Sequence, residues 1–402
     1  MIAKLAWKNI WFKPLNTVLS VVLLSSSVAI ITTLILVEKQ FEEKFSSNIE
    51  DVDLVLGAQG SPLQLILSSV YQVDAPTGNI NYDSAKVWMN NPYVEKAIPL
   101  AFGDNYRGYK ILGTTHDYLT KYNAILAEGK LFEKNFEVVV GSEIAQKMSL
   151  KIGDEFFGSH GDAAEGDVHD EYAYKIVGIT KPTGKVVDNL ILCTIPSVWQ
   201  MHHHHEGEDH EKSELTLDEP NMEITAVLLK IRNQMAKLTW QRVIPQNTKM
   251  QAVSPAFEVN RLFGLFGIGV TALQYLAYGI MLISGISIFI ALFNTLKERK
   301  SEFALMRVNG AARFQLLKVV MIESLLLCVV GFVFGTILGR VALSFLSNSS
   351  EEDFKMSFNP YEFLWEKEGT LFLLTIFVGF IAALIPAIKA YNLNISKTLA
   401  NA

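Results

Sequence analysis

The sequence predicts a membrane protein: four transmembrane α-helices, with a large extracytoplasmic α+β domain inserted between the first and second. Three observations carry this. Long stretches without charge lie near both ends of the chain, the sign of the charge changes at each of them, and short β-type runs fill the region between the first two. The composition agrees. Of 402 residues, 50% are hydrophobic and 19% charged, with a mean hydropathy of +0.24. That is too apolar for an ordinary soluble chain and too polar for a bare bundle of spans.

Each span follows from a gap in the charges. None lies between Lys13 and Glu38, between Arg261 and Lys297, or between Glu368 and Lys389, and only Glu323 lies between Lys318 and Arg340. About 20 apolar residues cross ~30 Å of hydrocarbon as a helix. The spans are read at 14–37, within 262–296, at 319–343 and at 369–388. The second stretch exceeds one span, so its first part is a stalk continuous with the membrane helix. The first stretch is longer than a secretory signal core and no A-x-A site follows, so it reads as an uncleaved anchor.

Lys and Arg set the orientation. Residues 1–13 carry Lys4, Lys8 and Lys13 with no acid, and the segment from Lys297 to Lys318 holds six basic residues against Glu298 and Glu302. Residues 389–402 add Lys389 and Lys397. These three segments belong in the cytoplasm, which puts both termini there. The segment from Glu38 to Leu296 carries 21 basic and 32 acidic residues, net −11, and Val341 to Glu368 carries 2 and 6, net −4. Both belong outside, the second as a loop over 344–368.

Within residues 1–13, Ile2, Leu5, Ala6, Ile10 and Trp11 fall at near-helical spacing with lysines between them. This is the pattern of an amphipathic helix on the cytoplasmic membrane face. The external domain, 38–261, shows β-type runs at Val52–Leu56, Glu137–Val140, Tyr174–Ile179, Val186–Cys193 and Ile224–Ile231. A short helix follows Gly141 at Ser142–Leu150, and Gly153-Asp154 makes a turn between strands. Two lobes are expected. Gly57, Gly60 and Pro62 break a strand before an apolar helical run. That stretch reads as a strand-to-helix connection or as a lobe contacting cargo or a second subunit. Cys193 lies outside and Cys328 within the third span, so they cannot pair, and Cys193 reads as a buried small hydrophobe.

In the third span Gly331, Gly335 and Gly339 recur every four residues, lining one face so that a neighbouring helix can approach closely. Glu323 is an intramembrane charge near the cytoplasmic entry, expected to pair with Arg313 or Lys318 as a structural salt bridge rather than to relay protons. Ahead of it, Phe303, Ala304, Met306 and Arg307 form a short amphipathic helix that stops at Asn309-Gly310. Its shape suits docking into a groove on a partner, or else it is a basic loop facing lipid.

Here the sequence resembles a known family. The run E-F-A-L-M-R-V-N-G-A, followed by a glutamate in the next span, is similar to the C-terminal permease domain shared by the macrolide exporter MacB, the lipoprotein-releasing LolC/LolE pair and the cell-division protein FtsX. Asn309 stands where leucine is usual. The tail IPAIKAYNLNISKTLA resembles that domain's ending. AEGKLFEKNFEVVVGSEIAQKMSLKIGDEF and YKIVGITKPTGKVVDN resemble the family's periplasmic core domain. The resemblance implies a permease half of an ABC transporter in a bacterial inner membrane, with the large domain periplasmic. Such a permease is a dimer with itself or a similar chain and works with two copies of a separate ATPase that holds ATP and Mg. ATPase motion would drive the external domain (mechanotransmission) and act on an external or membrane-embedded cargo. The coupling helix would comprise Ser301, Glu302, Phe303, Ala304, Leu305, Met306 and Arg307, ending at Gly310. The resemblance also implies contact with membrane lipid and with a periplasmic or outer-membrane partner. The alternatives are an FtsX-like regulator of an external partner and a component of a zinc transport system.

The chain is not expected to be an enzyme. No G-x-x-x-x-G-K-[ST], H-E-x-x-H or G-x-S-x-G occurs, and no basic patch for nucleic acid appears in the acidic domain. The remaining feature is MHHHHEGEDHEK. His202, His203, His204, His205 and His210 stand among acids, and a second loop holds His160 and His169. Imidazoles beside carboxylates suit Zn²⁺, but consecutive histidines fix no tetrahedral geometry. The run is a polar loop or a weak metal-capturing site.

Overall fold

The computed structural model describes residues 6–9, 14–159, 172–203, 215–354, 358–395 and 398. It comprises two compact units, Met1–Phe41 with Leu265–Ala402, and Glu42–Gly264. In chain order, α1 (Pro14–Ile49) is followed by β1 (Leu54–Ala58), α2 (Pro62–Ser69), β2 (Ile80–Asn81), α3 (Tyr82–Met89), β3 (Val94–Tyr106), β4 (Tyr109–Thr114) and α4 (His116–Lys121). Next come β5 (Leu126–Gly129), β6 (Glu137–Val140), α5 (Ser142–Met148), β7 (Glu155–Phe156), β8 (Tyr174–Thr180), β9 (Ile191–Thr194) and α6 (Ile195–His203). Then follow β10 (Glu223–Ile224), β11 (Ala226–Ile231), α7 (Gln234–Asn247) and β12 (Met250–Val253). Four helices close the order: α8 (Pro255–Glu298), α9 (Lys300–Val308), α10 (Arg313–Phe354) and α11 (Trp365–Tyr391).

The inserted unit is built on one sheet, in the order β12-β1-β11-β3-β4-β9-β6-β8-β5, with β7 beside β8 and a separate β2–β10 pair. β3 joins its two halves. The first part of this 13-residue strand pairs with β11 and the last part with β4, with a register break between Phe102 and Asn105. β4–β9 and β6–β8 run parallel, and α5 lies in the chain between β6 and β8, as a parallel pair requires a crossover. Leu54, Val55 and Leu56 on β1 and Val138, Val139 and Val140 on β6 are all buried. Such strands are covered on both faces, which is why they read as apolar runs rather than alternations. Cys193 is fully buried in this core, and burial pushes its thiol up.

Three expected elements differ in detail. Val186–Cys193 is not one strand, because Val186–Asn189 is a 3₁₀ turn. The Asp188 carboxylate accepts from the Thr183 amide at 2.8 Å and the Gly184 amide at 2.7 Å, a local alternative that outcompetes the ladder. Ile224–Ile231 splits at Thr225, whose hydroxyl accepts from the Phe102 amide at 2.9 Å. Gly153 does turn, at φ +92, but it follows α5 rather than a strand. Gly141 is obligatory before α5, since a Cβ there would lie 2.3 Å from the Asp188 carbonyl oxygen.

In the other unit α1, α8, α10 and α11 are each long and apolar enough to cross a membrane. Their common core contains Leu24, Val28 and Ile31 from α1, Met281 and Ile288 from α8, Val320 and Leu327 from α10, and Ala383 and Ala387 from α11. The glycine face of α10 packs on α1 of the same chain. A Cβ at Gly331 would lie 2.7 Å from Leu24 Cδ2, one at Gly335 2.6 Å from Val28 Cβ, and one at Gly339 2.8 Å from the Ala29 carbonyl oxygen. The Thr33 hydroxyl then donates to the Gly339 carbonyl at 3.0 Å. Arg340 on α10 donates to both Glu368 oxygens on α11, at 2.7 and 2.9 Å, and Glu368 is only 1% exposed.

Candidate coupling site

The helix between the second and third spans is α9. Arg299 precedes it and reaches forward, Nε 2.7 Å and Nη2 2.6 Å from Glu302 Oε2. This places an acid in the first turn, where the helix dipole favours it. The helix stops at Gly310, φ +94. The amides of Asn309, Gly310 and Ala311 bond back to the carbonyls of Leu305, Arg307 and Met306, at 3.0, 3.1 and 3.0 Å. Asn309 itself is an exposed end residue in a near-helical conformation, so its departure from the usual leucine removes no packing.

The two faces of α9 differ in what they touch. Phe303 is 3% exposed and Ala304 is fully buried, and Phe303 joins the core formed with Leu296 and Leu316. Met306 packs against the same core, and Ser301 and Arg307 are half-buried. Opposite them, Glu302, Leu305 and Val308 face outward, Leu305 at 52% and Val308 at 60% exposure. Phe314, at the start of α10, is 56% exposed. Lys297, Lys300 and Arg313 are exposed around this apolar group. The result is a short helix anchored by one face, presenting an apolar patch whose rim carries Lys297, Lys300 and Arg313 together with Glu298 and Glu302. Of the apolar residues named for the coupling helix, Leu305 is available to a partner, whereas Phe303 and Ala304 are committed to their own core. Val308, three residues beyond Leu305, is the second exposed apolar side chain of this helix.

Glu323 is 4% exposed, and the Asn9 side-chain amide, itself 6% exposed, donates to its Oε1. The expected salt bridge with Arg313 or Lys318 does not form. Lys318 precedes Glu323 by five residues, about 140° around a helix of 3.6 residues per turn. It instead lies over the Phe314 ring at 4.8 Å. Nothing local in the sequence announces Asn9, 314 positions away.

Among the histidines, His116 in α4 is an exposed residue whose Nε2 lies 2.7 Å from the Phe132 carbonyl oxygen. His202 and His203 end α6. His160, His169, His204, His205 and His210 lie outside the described residues. Among the described residues no group of three or more His, Cys, Asp or Glu could hold a metal ion.

The model of the MacB-like periplasmic core domain matches residues 16–237, more than half of the chain, and the model of the FtsX-like permease C-terminal domain matches residues 275–395. This chain belongs to the MacB/FtsX-like ABC permease family. Its relatives include the macrolide export ATP-binding/permease protein MacB from two strains of Campylobacter jejuni, 28% identical over 114 residues. That match covers 28% of this chain and 17% of the relative's length. The relative's name joins an ATP-binding and a permease part, and the models matched here are permease and periplasmic domains. Similar solved structures include the periplasmic region of MacB from Actinobacillus actinomycetemcomitans, 10% identical, TM-score 0.35, covering 55% of this chain and 97% of that one. Another is the extracellular domain of the noncanonic ABC-type transporter YknZ from Gram-positive bacteria, 11% identical, TM-score 0.30, covering 50% and 99%.

Proposed function

We propose that this permease couples ATP hydrolysis by a separate ATPase subunit to motion of its inserted domain, and so acts on an external or membrane-embedded cargo. The observation that carries the reading is α9. It is held by Phe303, Ala304 and the Arg299–Glu302 pair, and it offers Leu305, Val308 and Phe314 outward. An anchored helix can transmit a push, whereas a tethered loop would absorb it. The apolar centre with a charged rim suits an apolar groove with a charged margin on the ATPase. The working unit is proposed to be a dimer. Because the α10 glycines are already used within the chain, the second copy is better served by α8, where a Cβ at Gly264, Gly267, Gly269 or Gly279 would meet nothing within 4 Å.

Leu305→Asp with Val308→Asp is the deciding variant, since neither side chain supports the fold. Two central apolar contacts replaced by charge cost roughly 3 kcal/mol or more of binding, about a hundredfold. Co-purification with the proposed ATPase subunit is expected to disappear while yield and thermal midpoint stay unchanged. An intact complex would remove α9 as the contact.

A further inference from the structure

The segment that enters α11 alternates residue by residue. Tyr361, Phe363 and Trp365 are 89%, 47% and 81% exposed, whereas Glu362 and Leu364 between them are half-buried. The inward residues are fastened to three helices. The Glu362 carboxylate lies 3.0 Å from Lys39 Nζ on α1, and its carbonyl accepts from Arg340 Nη2 on α10 at 3.2 Å. The Leu364 amide donates to Glu368 Oε1 on α11 at 3.2 Å, and its side chain packs against the core of the spans. Just upstream, Gln40 and Asn359 exchange two hydrogen bonds, of 2.8 and 2.7 Å.

The outward residues are therefore held in place: Tyr361 and Trp365 stay largely uncovered, while the Phe363 ring meets Trp365 edge-on at 4.4 Å between centroids and lies 5.4 Å from the Arg340 guanidinium. Their depth identifies what covers them. Trp365 is the first residue of α11, four positions before the uncharged stretch that opens at Gly369. At 1.5 Å per residue that is about 6 Å from the hydrocarbon edge, the headgroup layer in which Trp and Tyr place an apolar ring and a polar tip. Phe345 on α10 and Leu373 on α11 are exposed as well, at 71% and 68%. We propose that Tyr361, Phe363 and Trp365 form an aromatic anchor that binds the headgroup layer of the lipid bilayer. Through Glu362 and Leu364 the anchor sets the depth of α1, α10 and α11 together. It is independent of the α9 contact and of the ATPase.

The test uses the full chain in vesicles of phosphatidylcholine and phosphatidylglycerol. Tyr361→Cys carries a spin label, and the native Cys193 and Cys328 are buried and do not compete. Collision with a water-soluble nickel chelate is expected to be clearly lower than at a label on the water-exposed Val87 of the inserted domain, while collision with oxygen is retained, as a site in the headgroup layer requires. A second arm follows tryptophan fluorescence in vesicles brominated near the headgroups, where Trp365→Phe is expected to lose part of the quenching seen in the parent chain. A nickel rate equal to that at Val87 would overturn the proposal by placing the ring in water. Exclusion of both reagents would also overturn it, by assigning the patch to a protein. If the cysteine variant does not fold, unchanged quenching on Trp365→Phe overturns it alone.

Discussion

Lys121 is a cation held almost out of water. It is 9% exposed, its Nζ donates to the Asn48 carbonyl at 2.8 Å, and it lies 3.6 Å from the centre of the Tyr122 ring. Burial pushes its ammonium down to about 7, with Lys185 adding to the effect and Asp51 and Glu50 opposing it. The unfolded chain, with an ordinary lysine near 10.5, binds the proton more tightly. Stability therefore rises with pH between about 7 and 10.5 and is lowest below that window. Lys121→Met removes the titration. The variant's thermal midpoint relative to the parent is expected to be most favourable near pH ~6 and to decline steadily toward pH ~10. A constant difference across that range would show that Lys121 keeps its ordinary proton affinity. Residues of this kind are hard to find in a sequence. HDYLTKYN reads as a solvated helix end, and only the fold places Lys121 beside the last turn of α1.

At the scale of elements, α10 and α8 make opposite use of glycine. Gly335 sits 2.6 Å, by a built Cβ, from Val28 Cβ and 2.8 Å from the Ser25 carbonyl oxygen, and the latter is backbone that cannot rotate away. Gly335→Leu is expected to part α1 from α10 and cost about 1–3 kcal/mol, read as a lower thermal midpoint in detergent. Gly279→Leu, with nothing within 4 Å in its own chain, is expected to stay within about 0.5 kcal/mol of the parent when both are held as monomers in detergent, so that any loss is confined to the α8 face proposed for the second copy. Equal losses would contradict the packing described. The close approach was legible as four-residue spacing, but its partner was not, because spacing does not say which helix fills the face. The spans were legible because ionised groups avoid hydrocarbon whatever the tertiary fold, and β6 because an uninterrupted valine run suits a doubly covered strand. The face of α9 was only half legible. Phe303 and Leu305 are equally apolar, and α10 decides which one is buried. Glu323 advertised itself as a buried charge, while its partner Asn9 required the folded chain.

At the scale of the whole molecule, two units are joined by α1 and α8, each of which contains a residue at which they divide. The proposed function requires nucleotide at one end to change the disposition of the other. Val87 on α3 is 70% exposed, and Glu366 in the first turn of α11 is exposed as well, so both accept spin labels through cysteine while Cys193 and Cys328 stay buried. The most direct measurement is the distance distribution between labels at Val87 and Glu366 in the reconstituted permease–ATPase complex, with and without ATP. The account predicts that ATP shifts the distribution in the parent chain and leaves it unmoved when Leu305→Asp and Val308→Asp are present. A distribution indifferent to ATP in the intact complex, or one that still shifts in the variant, would contradict coupling through α9.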